Sequence, residues 1–173
     1  MRKSYVILLY VLILLLGTIG VSTLVWTDIE NKTISQEYYN NYLRYKEVLL
    51  TQEEYSTGSK DIDIVVTIQK NEEKNKYLVS TKFSNPVRNY RNIIILVVDK
   101  SEINNSTDNI YPSLGIVGNF NNEFVTSKPD KKKTHSVLTL NYEVDFESKG
   151  VFIYFEYLDD SKTCISYLDV SVN

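Results

Sequence analysis

Asp61-Ile62-Asp63-Ile64-Val65-Val66-Thr67-Ile68-Gln69 is the stretch on which the fold turns. Ile62, Ile64, Val66 and Ile68 alternate with Asp61, Asp63, Thr67 and Gln69, and only Val65 breaks the rhythm. Successive side chains of an extended chain point to opposite faces, so a period of two predicts a strand with one buried and one wet face. The same period returns downstream. Lys70 to Asn75 reads as a polar turn, and Tyr77, Val79, Thr81 and Phe83 as a second strand stopped by Asn85-Pro86. The run Ile93-Ile94-Ile95-Leu96-Val97-Val98 is apolar on both faces, the mark of a central strand covered on both sides. A long polar loop with one or two weak strands follows. Leu138, Leu140, Tyr142 and Val144 then alternate again, and Val151 to Leu158 and Thr163 to Val172 form a hairpin across Asp159-Asp160-Ser161-Lys162.

Seven or eight short strands in residues 61–173, with turn signals every 8 to 12 residues and no second helix, predict a mainly β fold. The expected architecture is an antiparallel, immunoglobulin-like β-sandwich. The alternative is an α+β domain, cystatin-like or nuclear-transport-factor-like, with one helix on a single curved sheet. The number of strands favours the sandwich. Lys76-Tyr77-Leu78-Val79-Ser80-Thr81-Lys82-Phe83-Ser84-Asn85, a strand running into an Asn turn, and the alternating last three strands carry a further likeness. In layout the region from 61 to 172 resembles the telokin-like, immunoglobulin-like extracytoplasmic domains that Gram-positive bacteria display from a membrane anchor. The Cys…Trp…Cys core of antibody domains has no counterpart in this sequence.

Upstream of residue 61 the period is helical. Ile34, Tyr38, Tyr42, Tyr45 and Leu49 share one stripe, Thr33 and Gln36 can form a capping box, and Ser56-Thr57-Gly58-Ser59 ends the pattern. A helix over about 33–55 is expected, within a juxtamembrane stalk over 28–60. Its tyrosines are read first as a packing face, against the domain, the bilayer or a second copy. Stacking on cell-wall sugars is the functional alternative.

Further towards the N-terminus, Met1-Arg2-Lys3 precedes an uncharged stretch, residues 4–27, with 14 Leu, Ile and Val residues. Insertion scales give that stretch roughly −4 to −8 kcal/mol. Twenty-four residues of helix also exceed the ~30 Å of a bilayer core. A transmembrane signal anchor is expected, partnered by the lipid bilayer. Positive charge before it and Asp28 and Glu30 after it place residues 1–3 in the cytoplasm and 61–173 outside the cell membrane. A cleaved signal peptide is the rival, but Leu24, Val25 and Trp26 continue the apolar run past Gly20 and Ser22, and no Ala-x-Ala precedes a cut.

The search for chemistry returns little. A net charge of −3 argues against nucleic acid, whose footprint on a protein is basic. Cys164 is the only cysteine, so apolar burial rather than an internal disulfide must hold the domain. His135, the only histidine, stands beside Lys131, Lys132 and Lys133 in an expected turn, a poor place for a zinc ligand. Asp61 and Asp63 share a strand face but fall short of the 6 to 8 oxygens calcium takes. The Asp99 to Asp108 loop is oxygen-rich, yet Ile103 occupies a ligand position and no glycine makes the turn. Gly115-Ile116-Val117-Gly118 lacks the lysine and spacing of a phosphate loop. No cofactor, metal or catalytic residue is assigned.

The expected function is therefore a non-enzymatic, membrane-anchored binding module of the cell envelope, holding another envelope protein or a cell-wall polymer. Strand edges, the Lys100 to Asn122 loop and Lys128, Lys131, Lys132 and Lys133 are the candidate contacts, with Tyr38, Tyr42 and Tyr45 on the helix. The alternatives are a subunit of a secretion or conjugation apparatus, or an exported hydrolase or metal-handling protein. The last needs Asp61, Asp63, Asp159 and Asp160 to converge.

Overall fold

The computed structural model describes residues 35–103, 109–116, 122–126 and 133–172. Residues 1–3, the expected membrane span over 4–27 and Thr33 of the expected capping box lie outside the described residues. Among the described residues no helix is long and apolar enough to cross a membrane. The chain divides into two compact units, Met1–Asn40 and Asn41–Asn173. Residues 35–50 are helical (α1): 35–40 fall in the first unit, where the Gln36 amide donates to Asn40 Oδ1 at 3.1 Å, and 41–50 in the second.

The second unit is mainly β. Its strands are β1 (Asp63–Asn71), β2 (Lys76–Ser84), β3 (Arg91–Asp99), β4 (Ser113–Leu114), β5 (Glu123–Phe124), β6 (Thr134–His135), β7 (Val137–Val144), β8 (Gly150–Asp159) and β9 (Lys162–Ser171). The six long strands coincide with the six runs of the sequence expected as strands. β1-β2-β7 form one antiparallel sheet, β4-β3-β8-β9 a second, and β5 pairs with β6 in parallel. The β8–β9 hairpin closes with Asp159 opposite Lys162, and Asp160 and Ser161 both take positive φ, 42° and 74°. Two successive left-handed residues make the turn whose twist suits a two-residue hairpin loop.

Inward-facing residues of the two sheets meet in one core. Val66 of β1, Val79 and Phe83 of β2 and Val144 of β7 pack with Ile93, Ile95 and Val97 of β3, Val151, Ile153 and Phe155 of β8 and Leu168 of β9. Each such aliphatic or aromatic side chain contributes about 1.5–3 kcal/mol on full burial. Cys164 is a free, half-buried thiol.

The second face of the β3–β8 pair is buried too, with Tyr45 of α1 and Tyr55 against β8. Alternate residues Leu96 and Val98 of β3 and Phe152 and Tyr154 of β8 are buried although they point away from the core side. Tyr45 sets its ring edge-on against Tyr154 with centroids 5.0 Å apart, and Tyr55 lies 4.5 Å from the Phe152 ring. The helix is shorter than expected, stopping at residue 50 rather than 55. Its last carbonyls are taken by side chains folding back: Thr51 Oγ1 to Glu47 O at 2.9 Å, Gln52 Nε2 to Val48 O at 2.7 Å and Tyr55 Oη to Leu49 O at 2.6 Å. Ser56 then bonds with Tyr167 and Asp169 of β9. Residues 41–60, expected as part of a separate stalk, thus belong to the same compact unit as the sheets.

Candidate functional site

Two features at one side of the unit bring polar chemistry together: a buried network at the start of the Lys100 to Asn122 segment, and the outer edge of β7 beside it. The network starts at a short 3-10 helix, Lys100–Ile103, which turns Glu102 inwards. Lys46 of α1 meets Glu102 with Nζ 2.7 Å from Oε2, the two side chains being 8% and 1% exposed. Lys46 Nζ also donates to Asn109 O at 3.4 Å and lies 5.5 Å from the centre of the Tyr111 ring. Tyr111 donates its hydroxyl to Glu102 Oε1 at 2.8 Å. Tyr42 Oη accepts the Tyr111 backbone N–H at 2.8 Å and donates to Asn109 O at 3.2 Å.

A second carboxylate closes the array. Asp99, 1% exposed, accepts the Tyr142 hydroxyl at 2.8 Å and the Ser101 N–H at 2.9 Å. The Tyr111 and Tyr142 rings meet edge-on at 5.1 Å. Burial first, then the adjacent carboxylates, push both phenols well above their ordinary value. Both stay protonated donors at neutral pH. Each carboxylate faces a neutral donor, and Glu102 a cation as well, which is how a buried charge is tolerated.

In front of the two tyrosines lies a pocket of about 210 Å³, lined by Lys76, Asn109, Ile110, Glu143, Val144, Asp145 and Phe146 besides Tyr111 and Tyr142. Its rim carries two solvent-exposed pairs, Lys76 with Asp145 at 3.3 Å and Lys74 with Glu143 at 3.1 Å. Exposed pairs contribute about 0–1 kcal/mol, so both can rearrange around a partner. The pocket sits at the end of β7. That strand is the outermost of its sheet, and among the described residues no strand pairs with its outer edge. Its register with β2 runs unbroken from Val137 opposite Ser84 to Val144 opposite Tyr77. Neither lysine nor proline interrupts it.

Several expected contact residues lie elsewhere. Tyr42 is 1% exposed and Tyr45 is half-buried on β8, so both pack on their own domain. Tyr38 falls in the first unit. Lys128, Lys131 and Lys132 lie outside the described residues, and Lys133 is exposed where its carbonyl accepts the Glu123 N–H at 2.9 Å. The Lys100 to Asn122 segment is no free loop where it is described, since Glu102, Tyr111, Ile116 and Asn122 are all buried.

The chemistry-bearing residues are similarly dispersed. His135 is in β6 rather than a turn, its carbonyl taken by Val125 N–H at 2.8 Å and its imidazole lowered by burial. Asp63 accepts the Asn85 amide at 2.8 Å. Asp159 pairs with Arg88 at 2.9 Å, whose guanidinium also lies over Tyr90 and Tyr157. Among the described residues, no three His, Cys, Asp or Glu side chains are grouped to hold a metal ion.

The network escaped the sequence reading because lysine and glutamate are read as solvated by default. One signal was available: Lys46 follows Tyr42 by four positions and precedes Leu49 by three, on the buried stripe of α1. Compared with protein-family models, with curated proteins and with solved structures, the chain finds no match.

Proposed function

We propose that this chain is a membrane-tethered, extracytoplasmic binding module of immunoglobulin-like type that holds a cell-envelope partner by strand pairing, and that it is not a catalyst. The strand order supports the fold: the first, second and fourth long strands in one sheet, the third, fifth and sixth in the other, are those of an immunoglobulin Greek key. In that frame β7 occupies the position at which a further edge strand pairs in constant-type domains. The tether is residues 4–27, by their length, apolarity and flanking charge.

The observation that carries the binding role is the β7 edge. Natural sheets guard exposed edges with lysine, proline, bulges or very short strands, because a row of open backbone groups pairs with any extended chain. β4 is two residues long, β1 carries Lys70, and the edge of β9 is met by Ser56. β7 has eight residues and none of these guards. A photo-crosslinking residue at Thr139, exposed on β7, in the full chain in native membranes is expected to yield a discrete adduct by mass spectrometry. The same residue at Thr67 of β1 is the control. Equal, diffuse labelling from both positions would refute the edge as the binding surface. For the tether, Ser171→Cys in a Cys164→Ser background is expected to react with an impermeant thiol reagent in intact cells. Reaction only after lysis would reverse the topology.

A further inference from the structure

The charges along β7 follow its direction. Lys133 precedes the strand, and Glu143, Asp145 and Glu147 occupy its end and the residues after it. Lys133 and all three acidic residues are exposed. An antiparallel partner reads the strand backwards, so a second copy would lay its basic start beside the acidic end of the first, and its acidic end beside the basic start. Two exposed apolar side chains flank the same edge, Val137 at 51% and Phe146 at 41%.

We infer that β7 is a self-association edge: two copies of this chain pair β7 to β7 about a two-fold axis at Leu140, joining the two three-stranded sheets into one. This rests on the strand-pairing function proposed above and names its partner. The register follows from charge and phase. Opposite residues of an antiparallel pair share a face, so the residue numbers facing each other must sum to an even number. A centre at Leu140 sets Thr139 opposite Asn141, Val137 opposite Glu143, His135 opposite Asp145 and Lys133 opposite Glu147 of the second copy. A centre at Asn141 would instead set Lys133 opposite Lys149. Only centres at Leu140 and Asn141 pair seven of the eight β7 residues, and like charges directly opposite are destabilising, so the first of the two is selected. Phe146 then faces Thr134 of the second copy. Such a two-fold contact is closed, giving a dimer and not a fibre. One pair of strands makes a small interface, and confinement to a membrane raises the effective concentration at which it forms.

The test is disulfide trapping of the full chain in native membranes, in a Cys164→Ser background. Chains carrying Thr139→Cys and Asn141→Cys, with different tags, are co-expressed and oxidised. A covalent hetero-dimer of twice the chain mass is expected, at several times the yield of either variant with itself. Lys133→Glu should lower that yield about fivefold, since exposed pairs are weak individually but act twice here. Adding Glu147→Lys to Lys133→Glu should restore it. An adduct of Asn141→Cys with a different protein, without the dimer, would overturn the second copy as partner and leave the binding module standing. No adduct at either cysteine would overturn both. Equal trapping of Thr67→Cys would overturn the register and the edge alike.

Discussion

Replacing Lys46 with methionine keeps the length and apolar body of the side chain while deleting its charge, and so isolates the buried ion pair. Glu102 would be left 1% exposed without the Lys46 ammonium, its Oε1 still accepting from the Tyr111 hydroxyl. At roughly 4 Å and an effective dielectric of 20, opposite charges attract by about 4 kcal/mol, and desolvation of both ions offsets most of this in the native chain. Removing one partner does not return that desolvation cost for the other. Losing half of a buried pair typically costs about 3–5 kcal/mol, and Lys46→Met is expected in that range. The double variant Lys46→Met with Glu102→Gln has no buried charge, and the glutamine carbonyl can still accept from Tyr111. It should recover about 2 kcal/mol of the loss, a coupling of the size seen between directly contacting residues. Urea unfolding of the full chain in detergent, followed by near-ultraviolet circular dichroism, measures both, with an unchanged slope as the condition for comparing midpoints. A Lys46→Met cost below about 1 kcal/mol, or a double variant no better than the sum of the singles, would refute the account of the network.

Tyr142→Phe deletes a hydroxyl donated to the buried carboxylate of Asp99 and should cost about 1.5–3 kcal/mol in the same assay, the range for hydrogen bonds to charged groups. Gly150 has φ +143°, and an added Cβ would press on the Val170 carbonyl oxygen and lie 2.9 Å from Ser171 Cα, so Gly150→Ala should lose about 2 kcal/mol or more. Burial lowers His135 below its ordinary value of 6.5, so between its folded value and 6.5 the unfolded chain binds more protons than the folded one. Its contribution is whole above about pH 6.5 and is lost as pH falls through the folded value. Unfolding midpoints of the native chain should drop on acidification from pH 7 to 5, and His135→Gln should flatten that part of the slope.

The long strands were legible because a period of two is a property of the extended backbone and survives whatever the tertiary surroundings. β3 went further: six consecutive apolar residues demanded two covers, although only the facing sheet could be anticipated. The second cover, to which Tyr45 of α1 and Tyr55 contribute, was hidden by a plausible division into stalk and domain. Of the tyrosine stripe, Tyr42 and Tyr45 pack on their own domain, one of the surfaces the helical period left open. β5 and β6 were legible only as one or two weak strands without bounds. Two-residue strands carry no periodicity, and their pairing sets Glu123 opposite Thr134, eleven positions further on. Glu102 and Asp99 were invisible for another reason: whether a carboxylate in a polar segment faces water or a tyrosine depends on partners far away in sequence.

The buried network and the open edge are linked by the same economy of strands. Among the described residues from Lys100 to Asn122 only Ser113 and Leu114 are in a strand, so most of the backbone and acidic side chains described there cannot be satisfied by a ladder. α1 and β7 supply what is missing: Tyr42 and Lys46 from the one serve Asn109, Tyr111 and Glu102, and Tyr142 from the other serves Asp99. Tyr142 projects inward from β7, and its neighbours Asn141 and Glu143, on the opposite face, remain exposed. One face of β7 is thereby held rigid against the interior while its outer backbone is left open. Rigidity of that kind lowers the entropic cost of docking a further strand, because the template is already extended and fixed in register before the partner arrives.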